Sequence, residues 1–205
     1  LDVAMSAAGR VAFERALVAD VFSITTALSK IDVKKAEAAR PGERDEIMAM
    51  VEAGVGCQRL NELVLEQMRG WVADAGRGAL AALPQAERAT SALINNVAML
   101  LKEQGRLDEA QPLYEEALAG RRAALGDAHP STLTSIYNLA DLLRKLGDAA
   151  AAIPLFREDL VGCRATLGVD HATTRDSLRN LVGLLQEQGA AQEAAQLQDS
   201  FNDDA

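Results

Sequence analysis

The 205-residue chain is 49% hydrophobic but only 3% aromatic and carries a net charge of −9. Its alanine and leucine favour close-packed helices over a sheet, and its acidity excludes broad binding to nucleic-acid phosphates or an anionic membrane surface. It has no run of about 18 apolar residues and no basic-then-apolar leader, so neither a membrane span nor a signal peptide is expected. The charge is uneven: 11 basic and 13 acidic residues up to Ala89 give −2, and 10 and 17 from Thr90 onward give −7. Cys57 and Cys163 are far apart and form no CxxC pair, which suggests a reducing, cytoplasmic setting and two small buried thiols.

Residues 1–83 show no internal period and read as a mostly helical region with one short strand. Leu1–Met5 is expected as the strand, Gly9–Ala19 and Asp20–Lys30 as helices, and Ile31–Ala36 as extended. Arg40–Pro41–Gly42 is a break. Glu43–Ala53 then reads as a helix whose acidic first turn suits the helix dipole. Gly54–Val55–Gly56 interrupts. A helix over Gln58–Ala73 follows, with Leu60, Leu63, Val64, Gln67, Met68 and Trp71 on one face, and Gly76 and Gly78 weaken any extension to Leu83. Trp71 with Met48, Met50 and Met68 can be read as a binding stripe, but apolar residues at helical spacing favour core packing.

From residue 84 onward a period of 42 residues governs the chain. Gly105, Gly147 and Gly189 keep that step, as do Asn96, Asn138 and Asn180, and Ala110, Ala152 and Ala194. The pairs Pro112/Pro154, Tyr114/Phe156, Gly126/Gly168, His129/His171 and Thr132/Thr174 repeat it. A fixed period of this length marks stacked units, each burying its apolar face against the next. Three units are expected, over about 89–126, 131–168 and 173–201.

In the middle unit Ile136, Leu139, Ala140, Leu143 and Leu146 follow the apolar spacing of one helix face. Thr134, Tyr137, Asn138, Asp141, Arg144 and Lys145 fall on the other side. Pro130 suits the first helical turn and Gly147 a left-handed helix end. A second helix is expected from about Ala149 to Thr166, with Ala152, Leu155, Phe156 and Leu160 inward. The outer units predict helices near Ala89–Gln104 and Leu107–Ala124, then Thr173–Gln188 and Ala190–Phe201, with Asn202 to Ala205 frayed. The fold class is thus all-α, built of antiparallel helix-pair repeats behind residues 1–83.

The order small residue, turn glycine, alanine, aromatic appears as Ala98–Gly105–Ala110–Tyr114 and again as Ala140–Gly147–Ala152–Phe156. It resembles the tetratricopeptide repeat. The 42-residue step, "NNVAMLLKEQG" (Asn95–Gly105), "EEALAGRRAALGDAHPSTL" (Glu115–Leu133) and "YNLADLL" (Tyr137–Leu143) resemble the variant found in kinesin light chains. The resemblance covers about Thr90–Leu197 and implies a right-handed solenoid that binds proteins. It weakens at the end, where Gly183 and Gln198 replace apolar or aromatic positions and Asp159 stands where a small residue is common. The third unit therefore reads as a degenerate cap. The heptads through which kinesin light chains join the motor are not visible, so association with a kinesin heavy chain is not assumed. The opening piece resembles the tail of a Toll/interleukin-receptor-like α/β domain, without a diagnostic catalytic motif.

His129 and His171 occupy the same loop slot in successive units and read as caps or turns, not metal ligands. The pairs Glu115–Glu116 and Glu158–Asp159 are expected on a solvated helix exterior. No P-loop, GxSxG, HExxH or dinucleotide fingerprint is present, so no catalytic group, cofactor or metal is expected.

The asparagine ladder is the candidate site. Its amides, both donor and acceptor, can pair with the backbone of an extended peptide, or they can bridge helices and hold the stack. The resemblance implies a concave groove lined by Asn95, Asn96, Met99, Lys102, Tyr137, Asn138, Asp141, Arg144, Lys145, Arg179, Asn180 and Gln186. Lys102, Arg144, Lys145 and Arg179 can receive an acidic ligand. A non-catalytic scaffold for a partner peptide or helix is the function expected. Because the chain begins at Leu1 and its opening does not repeat, the alternative is the regulatory arm of a larger signalling enzyme or nucleotide switch whose active domain lies upstream.

Overall fold

The computed structural model describes residues 49, 51–54 and 56–203. The strand at Leu1–Met5, the helices at Gly9–Ala19 and Asp20–Lys30, the extended Ile31–Ala36, and Met48 and Met50 lie outside them. Among the described residues there are helices and no strand. The chain divides into two compact units, Leu1–Ala82 and Leu83–Ala205.

In the first unit, residues 51–53 are helical, Gly54 turns, and Gly56 takes φ +76°. Helix α1 then runs over Gly56–Ala81, straight through Gly76 and Gly78. The expected end at Ala73 is therefore too early. Each interior glycine costs a helix about 1 kcal/mol, and a long helix that buries Leu80 beyond both glycines absorbs it. Cys57, Val72, Ala73, Gly76 and Leu80 are the buried positions. Trp71 and Met68 are only half-buried, and Gln67, expected on the same face, is exposed.

Among the described residues the second unit holds seven helices: α2 (Gln85–Arg88), α3 (Ala92–Glu103), α4 (Leu107–Leu125), α5 (Pro130–Lys145), α6 (Ala149–Leu167), α7 (Ala172–Glu187) and α8 (Ala191–Asp203). The expected helix near Ala89–Gln104 begins only at Ala92, after the separate turn of α2, because Ser91 turns extended and its hydroxyl caps α3 by accepting from Leu93 N. Each helix from α3 to α8 packs on the next in sequence, giving the pairs α3/α4, α5/α6 and α7/α8. Asn202 and Asp203 continue α8 where fraying was expected.

The 42-residue step is visible in the caps. Gly105, Gly147 and Gly189 have φ of +75°, +81° and +78°. The residue after each, Arg106, Asp148 or Ala190, donates its N–H back to Leu101, Leu143 or Leu185 at 2.9 Å. This closure needs a left-handed residue, which glycine supplies without a Cβ clash. At the start of the second and third pairs, His129 and His171 are helix N-caps. Their Nδ1 atoms accept from Ser131 N at 3.1 Å and Thr173 N at 3.2 Å.

Core residues follow the same step. Tyr114 and Phe156 are both fully buried, among Ala98, Ala110, Ala140 and Ala152. Leu146, placed on the apolar face by its spacing, is 37% exposed because it is the α5 C-cap and not an interior residue. Gly120 and Gly162 also keep the period. A Cβ at Gly120 would lie 2.3 Å from Ala89 Cβ, and one at Gly162 2.3 Å from Leu133 Cδ2.

Candidate functional site

The expected groove residues sit on the first helix of each pair. Asn95, Asn96, Met99 and Lys102 are on α3, Tyr137, Asn138, Asp141, Arg144 and Lys145 on α5, and Arg179, Asn180 and Gln186 on α7. All are half-buried except Lys145, Arg179 and Gln186, which are exposed. A half-buried polar stripe beside a buried apolar one follows from the helical spacing of these residues.

Two groups of them meet. Lys102 Nζ lies 2.9 Å from Asp141 Oδ2, and Arg144 donates to Asp141 Oδ1 at 2.7 Å, so one carboxylate holds two cations across α3 and α5. Burial alone would raise the Asp141 carboxyl, but the bonds and charges of Lys102 and Arg144 outweigh it and hold the group below the usual carboxylate range. Lys102 also lies over the Tyr114 ring, 5.9 Å from its centroid. In the second group Asn180 Nδ2 donates to the Tyr137 hydroxyl at 3.0 Å, tying α7 to α5. Tyr137 in turn meets Phe156 edge-on at 5.9 Å.

The ladder is therefore not uniform. Asn180 bridges two repeats, and Asn138, at the same register, carries no such bridge among the described residues. Asn95 Oδ1 is buried with no donor. Arg179 pairs with Asp176 at 2.6 Å in the open. Of the four cations expected to meet an acidic ligand, Lys102, Arg144 and Arg179 are engaged within the protein.

The expectation of a solvated exterior for the acidic pairs fails at Asp159 and holds loosely elsewhere. Asp159 is 1% exposed. It accepts from the Ser177 hydroxyl at 2.5 Å and from the Cys163 thiol at 3.5 Å. Burial raises its carboxyl above the ordinary value, with the two hydrogen bonds offsetting only part of that. Burial and the adjacent Asp159 push the Cys163 thiol up to about 11, so it is not a nucleophile at neutral pH. Glu116 and Glu158 are paired, with Arg88 and Arg122 respectively. Glu115 alone stands exposed, held by Gln111.

The sequence reading missed Arg121. It is buried within the array and donates to the Ser135 hydroxyl at 2.7 Å and to the carbonyls of Ser131 and Ser91 at 3.3 and 3.2 Å. The available signal was the step itself, which sets Arg121 in register with Cys163, and Ser135 with Ser177.

Among the described residues no group of acidic, histidine or cysteine side chains is arranged to hold a metal, and no helix is long and apolar enough to cross a membrane.

A tetratricopeptide repeat family model matches residues 87–160. No curated protein matches the sequence. Among solved structures, BtubC (BKLC) from P. vanneervenii is similar at 18% identity and a TM-score of 0.55, covering 91% of this chain and 75% of that one. Two structures of a Podosopora anserina protein, described as a kinesin light chain with nearly identical TPR-like repeats, are similar at 20% identity and a TM-score of 0.57. They cover 94% of this chain and 91% of theirs. With its glycine-closed helix pairs, capped loops and 42-residue step, the second unit has the helix-pair repeat fold of these structures, and the tetratricopeptide repeat model matches residues 87–160 of it.

Proposed function

We propose that the array is a non-catalytic scaffold that takes a partner peptide or helix along a concave groove formed by the first helices, in a cytoplasmic setting. A helix-pair repeat array suggests protein interaction in general, since stacked units expose long continuous surfaces. The finer reading rests on one observation: the polar face of α3, α5 and α7 recurs every 42 residues, and most of its residues are half-buried. Asn138 offers an amide donor and acceptor on that face.

The test is binding of the full chain to a peptide array, beside a variant with Asn96, Asn138 and Asn180 changed to alanine. Selective binding that is lost in a still-folded variant is expected. Binding indifferent to the three asparagines overturns the groove and moves the search to the second helices.

A further inference from the structure

A cavity of about 380 Å³ opens between α5, α6 and α7. Its rim includes exposed Thr134, Thr173 and Asp176, and its floor buried Leu133, Asp159 and Cys163. Tyr137 connects it to the asparagine face. Two carboxyls line the cavity, and no lysine, arginine or histidine does.

One repeat earlier the same register is filled by the protein itself. There Arg121, equivalent to Cys163, sends its guanidinium to Ser135 and to the Ser131 carbonyl. The equivalents of those acceptors are Ser177 and Thr173. Arginine is thus replaced by a short thiol, which removes most of a long side chain's volume. The residue matching Asp159 is Ala117, so the second interface gains an anion where it loses a cation. Asp159 keeps only the Ser177 hydroxyl and a weak thiol donor, although a carboxylate accepts about four hydrogen bonds.

We propose that this cavity is a specificity pocket for an arginine or lysine side chain of the partner peptide, whose cationic head takes the place beside Asp159 and Ser177 that Arg121 fills beside Ser135. The inference rests on the groove reading, and it gives the ligand a basic anchor. The cavity's size is at the lower end of the range of small-ligand sites. Its lining leucines Leu133 and Leu167 suit an aliphatic stem, and a guanidinium desolvated beside a carboxylate is the strongest pairing open to such a pocket.

The probe is N-acetylarginine methylamide, compared with its neutral near-isostere N-acetylcitrulline methylamide, titrated into the full chain. Backbone amide NMR shifts at Thr134, Cys163 and Thr173 report the pocket. The arginine probe is expected to bind at least about tenfold more tightly than the citrulline probe, as one lost charge-assisted contact implies. Asp159→Asn should remove that preference, and Asp176→Asn on the rim should largely retain it. Equal affinity for the two probes on the unaltered chain overturns the proposal without any variant. So does a preference that survives Asp159→Asn or that depends on Asp176 alone. Failure of the peptide array with the probe preference intact would reject the groove and keep the pocket. The converse would keep the groove and reject the pocket.

Discussion

The two interfaces between successive helix pairs share one register and handle their buried polarity in opposite ways. Between the first and second pairs, Arg121 spans to Ser135 and two carbonyls. Between the second and third, Asp159 faces Ser177. The serine is constant and the group opposite it changes sign. The first interface is closed by a long side chain with several donors. The second has a short carboxyl, a thiol and the cavity beside them. Repeats with a common backbone can therefore hold one closed seam and one open seam, and the open seam is where a ligand's side chain can enter.

Arg121→Ala is the largest expected way to break this asymmetry. It removes charge-assisted hydrogen bonds and leaves a void, at about 2–4 kcal/mol. The matched Cys163→Ala deletes one sulfur atom beside an existing cavity and should cost about 1 kcal/mol or less. Urea titration of the two variants measures the difference. Comparable losses would show that the two seams are equally packed.

Two register-matched glycines, one packed against Ala89 in the first repeat and one within the second pair beside the open seam, sharpen the contrast. At Gly120 an added Cβ meets Ala89 Cβ at 2.3 Å with the Ala89 backbone close behind, so the segment itself must move. At Gly162 it meets only the tip of Leu133, which can rotate toward the cavity. Gly120→Ala should therefore cost about 1–3 kcal/mol. Gly162→Ala should cost less, its clash offset in part by the roughly 1 kcal/mol helix preference of alanine over glycine. Thermal melts of the two variants rank them.

The seams also hold carboxyls that respond to acid in opposite directions. Asp141, below its ordinary value because Lys102 and Arg144 outweigh its burial, adds stability above the unfolded carboxylate range that is lost as pH falls through its folded value. Asp159, raised by burial, adds stability at low pH that is lost as pH rises from the unfolded value through the folded one. Subtracting the Asp141→Asn and Asp159→Asn stabilities from those of the parent across pH 3–8 should give curves of opposite slope. Parallel curves would mean that the two sites share one environment. At neutral pH Asp141→Asn should cost about 1–3 kcal/mol, since it leaves the half-buried Lys102 ammonium without its carboxylate.

Much of the fold was legible because its devices are local and recur. A glycine that closes a pair, a histidine that caps the next helix and an aromatic that fills the space between them each occupy a fixed slot of the 42-residue step. The seams were less legible because their partners are distant in sequence and their residues break the repeat. Asp159 beside Glu158 reads as an ordinary charged exterior, and only Ser177, 18 residues on, reveals that it faces inward. Arg121 beside Arg122 is masked in the same way, although one is buried and the other pairs with Glu158 on the outer side. On the candidate face, spacing located the asparagines on the first helices but could not show that Asp141 already holds two of the cations assigned to an acidic ligand. In α1 the glycine rule gave a boundary eight residues short, because propensity is a weak constraint on a long helix with buried residues at its far end.

The smallest expected effect separates the two uses of an asparagine ladder. Asn180→Ala removes the bond to the Tyr137 hydroxyl and should cost about 1 kcal/mol, with Tyr137→Phe costing a similar amount and the double variant little more. Asn138→Ala loses no such bridge and should leave stability within about 0.5 kcal/mol. If Asn138→Ala costs as much as Asn180→Ala, both amides hold the stack and the ladder ceases to be a recognition surface. If the costs differ as expected while a bound peptide is weakened by Asn138→Ala, one repeated residue type serves as strut in the last repeat and as contact in the middle one. That division matches the seams, where a constant serine faces an arginine in one interface and an aspartate in the next.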